Sequence, residues 1–216
     1  MCGRIVQASG PLRLAIGDGL DVREDRTSNV PRRYNGAPSQ QLLLIRKNHR
    51  TGDRSLDLLA WGLIPNWCQD LKWWTQTDQR QSRDHCRDAY RLRRCIVPVD
   101  GFFEWQAMTG GKQPYAIAMK GRIMGELEKR YHPRMGSGLH DPVPSNDLVS
   151  RIHDRMPAIV DRRHYDRWLG READPHDLLV TYSSEPMRMW PISKRVNKPE
   201  NDDAAILEPV DLDDTA

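Results

Sequence analysis

The stretch that most restricts the fold is residues 94–119. Arg94–Val99 is a β-rich run. Asp100-Gly101 turns the chain into Phe102–Gln106, Thr109-Gly110-Gly111 turns it again, and Pro114–Met119 returns. Each run is too short for a stable helix and is bounded by turn residues, the signature of strands joined by tight connections. Gln41–Arg46 and Ser55–Trp61 repeat the pattern around Lys47–Arg54, a loop containing Thr51-Gly52-Asp53. Residues 2–8 read as another short strand, and Leu178–Tyr182 as one more. Helical patterning is confined to 11–18, 79–92 and 160–169. Residues 66–77 are Trp-rich and irregular. Residues 121–148 are dense in Gly, Pro, His and Asp, and 183–209 read mostly as loop. Short strands with a few helices and no regular alternation imply an α+β fold with one mixed, mostly antiparallel β-structure.

A chain of 216 residues with no internal repeat and no linker fits one domain. It is long enough to bury a core without disulfides or metals. We read 1–209 as that domain and 210–216 as an acidic, disordered tail. No segment approaches the ~18 apolar residues of a membrane span. Met1–Gln7 lacks the apolar stretch of a secretory signal. A cytoplasmic monomer with no membrane partner is the expectation. The four cysteines are Cys2, Cys68, Cys86 and Cys95. They form no C-x-x-C pair, and no His pair completes a zinc pattern, so reduced thiols and no metal are expected.

The formal charge of +3 hides an asymmetry. The chain has 26 Arg and 7 Lys, and Glu200–Ala216 holds seven acidic residues and no basic one. Everything before that tail carries 33 basic against 23 acidic residues. Such a body suits a polyanion partner, and equally suits an Arg-rich composition with no such role. Arg80, Arg83, Arg87, Arg91 and Arg94 would share one face of a continuous helix and could track phosphates. Asp84 and Asp88 beside them offer the alternative of a salt-bridged, solvated face. Trp67, Trp73 and Trp74 precede that helix. Exposed rings next to Arg suit stacking on unpaired bases, although Trp is also a common core residue.

Cys2 directly follows the initiator Met. If Met1 is removed, Cys2 presents an amine and a thiol on adjacent carbons. A free α-amine titrates at about 7.7–8.0, so part of it is neutral and nucleophilic at pH 7. Such a 1,2-aminothiol condenses with an aldehyde through a Schiff base, and the thiol then closes a five-membered thiazolidine ring. Neither step needs a metal or an organic cofactor. The alternative is an ordinary second residue in a first strand.

Eight sequence blocks occur in a fixed order. They are Met1-Cys2-Gly3-Arg4, Tyr34-Asn35-Gly36-Ala37-Pro38, Trp61–Trp67, Arg93–Pro98, Asp100–Trp105, Lys112–Tyr115, Ile152–Pro157 and Val196–Asp202. Together they resemble the SOS-response-associated peptidase (SRAP) family over nearly the whole chain. The resemblance implies a compact fold with a barrel-like, mostly antiparallel β-structure and a basic cleft for single-stranded DNA. It implies that Cys2, exposed by loss of Met1, captures the ring-opened aldehyde of an abasic deoxyribose as a DNA–protein crosslink. It implies no cofactor, abasic single-stranded DNA as the partner, and association with the nucleoid when DNA is bound.

Roles follow residue by residue from that resemblance. Glu104 matches the family's catalytic Glu, which orients or deprotonates the Cys2 amine; read without the family, it is a strand Glu facing solvent. His153 matches a proton-shuttling His that promotes ring opening. Arg4, Asn35, Pro38, Trp67, Arg80 and Arg155 are the DNA-side residues that follow, and the helix face above adds Arg83 and Arg87. The chain departs from the pattern after Trp67: Arg80 takes the family's Arg position and leaves Asp78 where Asn is usual. Gly36 stands where Val is usual, and 121–150 lacks a clear counterpart of one family strand. Three readings remain open on sequence alone. They are covalent capture of abasic sites, a cysteine autopeptidase acting on its own N-terminus, and a binding member that has lost the chemistry.

Overall fold

The computed structural model describes residues 3–10, 30–48, 50–61, 90, 93–120, 135–171 and 174–212. The expected helices at 11–18 and 79–92, and the Trp-rich stretch 66–77, fall almost wholly outside them. Among the described residues the strands are β1 (Ile5–Gln7), β2 (Arg33–Gly36), β3 (Gln41–Lys47), β4 (Arg54–Ala60), β5 (Val97–Val99), β6 (Gly101–Met108), β7 (Gly111–Met119), β8 (Met135–Pro144), β9 (Arg155–Val160) and β10 (Met187–Pro191). One α-helix, α1 (Tyr165–Leu169), accompanies several 3-10 turns. The α+β class with mostly antiparallel strands stands.

The strands form three sheets rather than one closed ring. Their orders are β10-β7-β6-β1-β2, β3-β4 and β5-β8-β9, and every pairing is antiparallel. Ile45 and Ile96 exchange backbone hydrogen bonds of 2.8 and 3.0 Å and join the second sheet to the strand leading into β5. Buried Gln7 ties β1 to both: its Nε2 donates to Leu43 O and Pro98 O, and its Oε1 accepts from Leu43 N. An amide at that point satisfies three backbone groups where no ladder reaches them.

The β6–β7 hairpin appears where the turn residues predict it, with Met108 opposite Gly111 and Gly110 at φ +88°. Positive φ is cheap only for glycine, so the two-residue loop is fixed locally. Apolar residues of β6 then divide between the two faces of the sheet. Phe102 joins the main core with Ile5, Ile117 and Met156, whereas Phe103 packs with Val6, Ala116 and Ile192 on the other side. Gly36 sits against this core; a Cβ there would lie 3.1 Å from Ile5 and 3.2 Å from Leu42 side chains.

Several expectations need correction. Leu178–Tyr182 is not a strand. A 3-10 turn covers His176–Leu178, the chain beyond is irregular, and Val180 is exposed. The run has β-forming residues but no ladder partner among the described residues. Conversely, β8 lies within the Gly- and Pro-punctuated region and is central in its sheet. A register irregularity between Gly138 and Val143 absorbs the His140-Asp141-Pro142 segment. Likewise, β10 forms in text read as loop, because β7 offers it five consecutive partners. Helix 160–169 exists but begins as a 3-10 turn capped by Asp161, whose Oδ1 accepts from Arg163 N. The tail is described as far as Leu212, and Val210 N donates to Pro191 O.

Candidate active site

Glu104 lies on β6, inside the five-stranded sheet, opposite Tyr115 of β7. It is 2% exposed, not the solvent-facing strand residue that its type alone suggests. Burial pushes its carboxyl above the usual range; the charges of the amino terminus and His153, and a backbone hydrogen bond at Trp105, oppose that shift. On the neighbouring strand, Phe103 N donates to Arg4 O at 3.1 Å. The N-terminal segment from Arg4 onward therefore runs antiparallel beside β6. Gly3 is the first described residue, so Cys2 lies outside them.

His153 follows a 3-10 turn, Val149–Arg151, and precedes β9. Its Nδ1 accepts a hydrogen bond from Arg155 N at 3.0 Å and lies 3.0 Å from Arg155 O and 3.3 Å from Asp154 Oδ1. A neutral ring accepting at Nδ1 carries its proton on Nε2. A protonated ring can turn its Nδ1–H to Arg155 O or to the Asp154 carboxylate. The tautomer is assigned from that geometry.

Glu104 and His153 share a cavity of about 550 Å³ with Trp105, Lys112, Lys194, Asn197 and the Gly110-Gly111 turn. A second cavity, of about 510 Å³, is bounded by Val6, Tyr34, Phe102, Ala116, Trp190 and Leu207, among others. It is mainly apolar and has no carboxyl–imidazole pair. The carboxyl–imidazole pair lines the first.

Beside the cavity, a hydrogen-bonded knot holds the strands to residues 196–202. The Asn35 amide nitrogen donates to Val196 O, Lys198 O and Asn201 O at 3.0–3.1 Å. Its Oδ1 accepts from Arg4 Nη1 at 2.9 Å. Arg4 also donates to Val196 O at 2.7 Å and Asn197 O at 3.1 Å. Asp202 Oδ1 accepts from Tyr34 N and Asn35 N, and its Oδ2 pairs with Arg33 at 3.0 Å. Asn197 Oδ1 accepts from Trp105 Nε1 at 2.8 Å, linking the knot to the residue beside Glu104.

The chain belongs to the SOS response associated peptidase (SRAP) family. The family model covers residues 1–199. Abasic site processing protein YoaM of Bacillus subtilis (strain 168) is 32% identical over 192 residues, 81% of this chain and 84% of that protein. Abasic site processing protein HMCES of Gallus gallus is 28% identical over 267 residues, covering 98% of this chain and 79% of that one. A crystal structure of a protein from Bacteroides thetaiotaomicron superposes with a TM-score of 0.74 at 21% identity, over 97% of this chain and all of the other, and shares the fold.

In this SRAP chain the motif residues separate into two groups. Glu104 and His153 face one cavity. Arg4 and Asn35 are turned into the knot, and burial lowers the Arg4 guanidinium, partly countered by Glu200. Pro38 is exposed in a turn beside Ser39, which has φ 75°. Arg155 is exposed at the start of β9. Trp67, Arg80, Arg83 and Arg87 lie outside the described residues. Arg94 does not continue a phosphate-facing row. Its guanidinium donates to Tyr90 O, Trp168 O and Gly170 O. Both charged cavity residues besides Glu104 and His153 lie outside the sequence reading of the site. Lys112 stands in the Lys-Gln-Pro-Tyr block and so was within reach, whereas nothing near Lys194 marked it. Among the cysteines, Cys95 packs against the main core, and desolvation pushes its thiol up to about 11, so it is unreactive.

Proposed function

We propose that this SRAP protein processes abasic sites by covalent capture in single-stranded DNA, through the amine and thiol of Cys2 after loss of Met1. The observation that carries the reading is a buried carboxyl and an imidazole lining one cavity, with Arg4, just before β1, bonded to the neighbouring Phe103. Family membership and the names of its relatives supply the substrate class.

The chemistry balances without a cofactor. His153 transfers a proton at the sugar ring oxygen and opens the hemiacetal to its aldehyde. The neutral Cys2 amine adds to the carbonyl carbon. Glu104, held towards its protonated form by burial, gives a proton to the departing hydroxyl, and one water leaves as the imine forms. The Cys2 thiol loses its proton, its sulfur adds to the imine carbon, and the imine nitrogen is protonated. The product is a thiazolidine, heavier than the free protein by the DNA mass less one water.

The test is a denaturing gel and intact mass of untagged protein incubated with single-stranded DNA carrying one abasic site. We expect a heat-stable adduct lacking Met1, with that mass. Cys2→Ala retains an amine but cannot close the ring, so its adduct should not survive heating. A heat-stable adduct from Cys2→Ala would overturn the thiazolidine. No adduct from folded protein already lacking Met1 would favour a binding-only member.

A further inference from the structure

The cavity's positive side chains differ from several arginines of the described residues. Arg33, Arg46, Arg54, Arg167 and Arg195 each pair with an aspartate. Arg195 binds Asp203, while its neighbour Lys194 makes no side-chain hydrogen bond or ion pair among the described residues. Lys112 makes none either. Both are exposed, and both line the cavity that holds Glu104 and His153. Their elements are far apart in sequence: Lys112 opens β7, and Lys194 begins the 3-10 turn Lys194–Asn197. The wall beside Lys112 is bare, since a Cβ built on Gly110 or Gly111 would meet nothing within 4 Å. A chain backbone can therefore approach closely there.

Two ammonium groups without internal partners, at a cavity wide enough for a sugar, suit an anion attached to that sugar. We propose that Lys112 and Lys194 anchor the phosphates next to the reacting deoxyribose, so that the site takes an abasic sugar within a strand rather than a free aldehyde. This rests on the reading of the cavity as an abasic-site capture site. A carboxyl held towards its neutral form at Glu104 also repels a nearby phosphate less than an ionised one.

The probe is a fluorescent single-stranded oligonucleotide with one tetrahydrofuran residue, which has the abasic shape but no aldehyde. Its affinity is followed by anisotropy as salt is varied. Each phosphate neutralised on a single strand contributes about 0.7 to the slope of log affinity against log salt. Lys112→Gln and Lys194→Gln should each flatten the slope by about 0.7, and the double variant by about 1.4. Lys→Arg at both positions should restore it. Lys120→Gln is the control. Lys120 follows the far end of β7, and its ammonium donates to Glu185 O. An unchanged slope in the double variant overturns the inference, as does wild-type protein that fails to bind. A parallel reaction with the natural abasic oligonucleotide separates the two claims. A heat-stable adduct with unchanged slopes removes the lysines and leaves capture; altered slopes without an adduct do the reverse.

Discussion

The Asn35 knot and the Glu104 cavity are neighbours built from the same sequence motifs, yet they treat polar groups in opposite ways. In the knot, Asn35 donates to three carbonyls and accepts from Arg4, and Asp202 accepts two backbone hydrogens and an arginine. Each group is matched, which favours one rigid arrangement. In the cavity, a desolvated carboxyl shares the lining with an imidazole and two exposed lysines. Matched groups hold a structure. Strained protonation equilibria and uncommitted charges are what a reaction uses. Arg4 and Asn35, expected among the DNA-side residues, use these hydrogen bonds to hold the strands to 196–202.

The largest effects should fall in the cavity. Glu104→Gln or His153→Ala should slow adduct formation by roughly 10²-fold or more if each transfers a proton. Far-ultraviolet circular dichroism of either variant should match wild type. Rates within twofold of wild type in both would remove their catalytic roles and collapse the distinction between the regions.

Asn35→Ala should do the converse. It removes the amide that bonds three loop carbonyls and Arg4, although Val196 O keeps Arg4 and Lys198 O keeps Asn201 N, at a cost of about 2–4 kcal/mol. For a chain of this size the melting temperature should fall by roughly 5–15 °C. Below the transition, capture per folded molecule should drop less than in either cavity variant. A variant that melts like wild type but captures a hundredfold more slowly would move Asn35 into the reacting group.

The two regions also differ in how far the sequence discloses them. The β6–β7 hairpin was legible because its turn chemistry is local: Gly110 adopts positive φ between two apolar runs. The β8 strand was hidden because its ladder uses backbone groups and tolerates Gly and Pro around a register irregularity. Glu104 and His153 were reached only through the ordered motifs, since a lone Glu in a strand reads as solvent-facing. The knot was illegible for a physical reason. All but the Arg4–Asn35 bond join residues more than 160 positions apart, and no local pattern encodes which carbonyl an amide will meet. Lys194 was missed likewise, because an isolated surface lysine acquires meaning only from what shares its cavity.

The smallest effect is on stability, and its sign sharpens the contrast. Burial raises the Glu104 carboxyl above its ordinary value of 4.5 in the folded chain. The folded state then holds this proton more tightly than the unfolded state does. Its contribution to stability is fully present below the ordinary value and is lost as pH rises through the raised one. Glu104→Gln cannot ionise and escapes that loss. The variant should melt close to wild type in acid and roughly a few degrees higher at neutral to mildly alkaline pH. Thermal melts of both proteins across that range check it. A difference independent of pH, or a less stable variant at alkaline pH, would mean that the carboxylate is well solvated or well paired when folded. The cavity would then resemble the knot. A gain in stability coupled to loss of capture would show that this carboxyl is kept at a cost to the fold because the chemistry requires it.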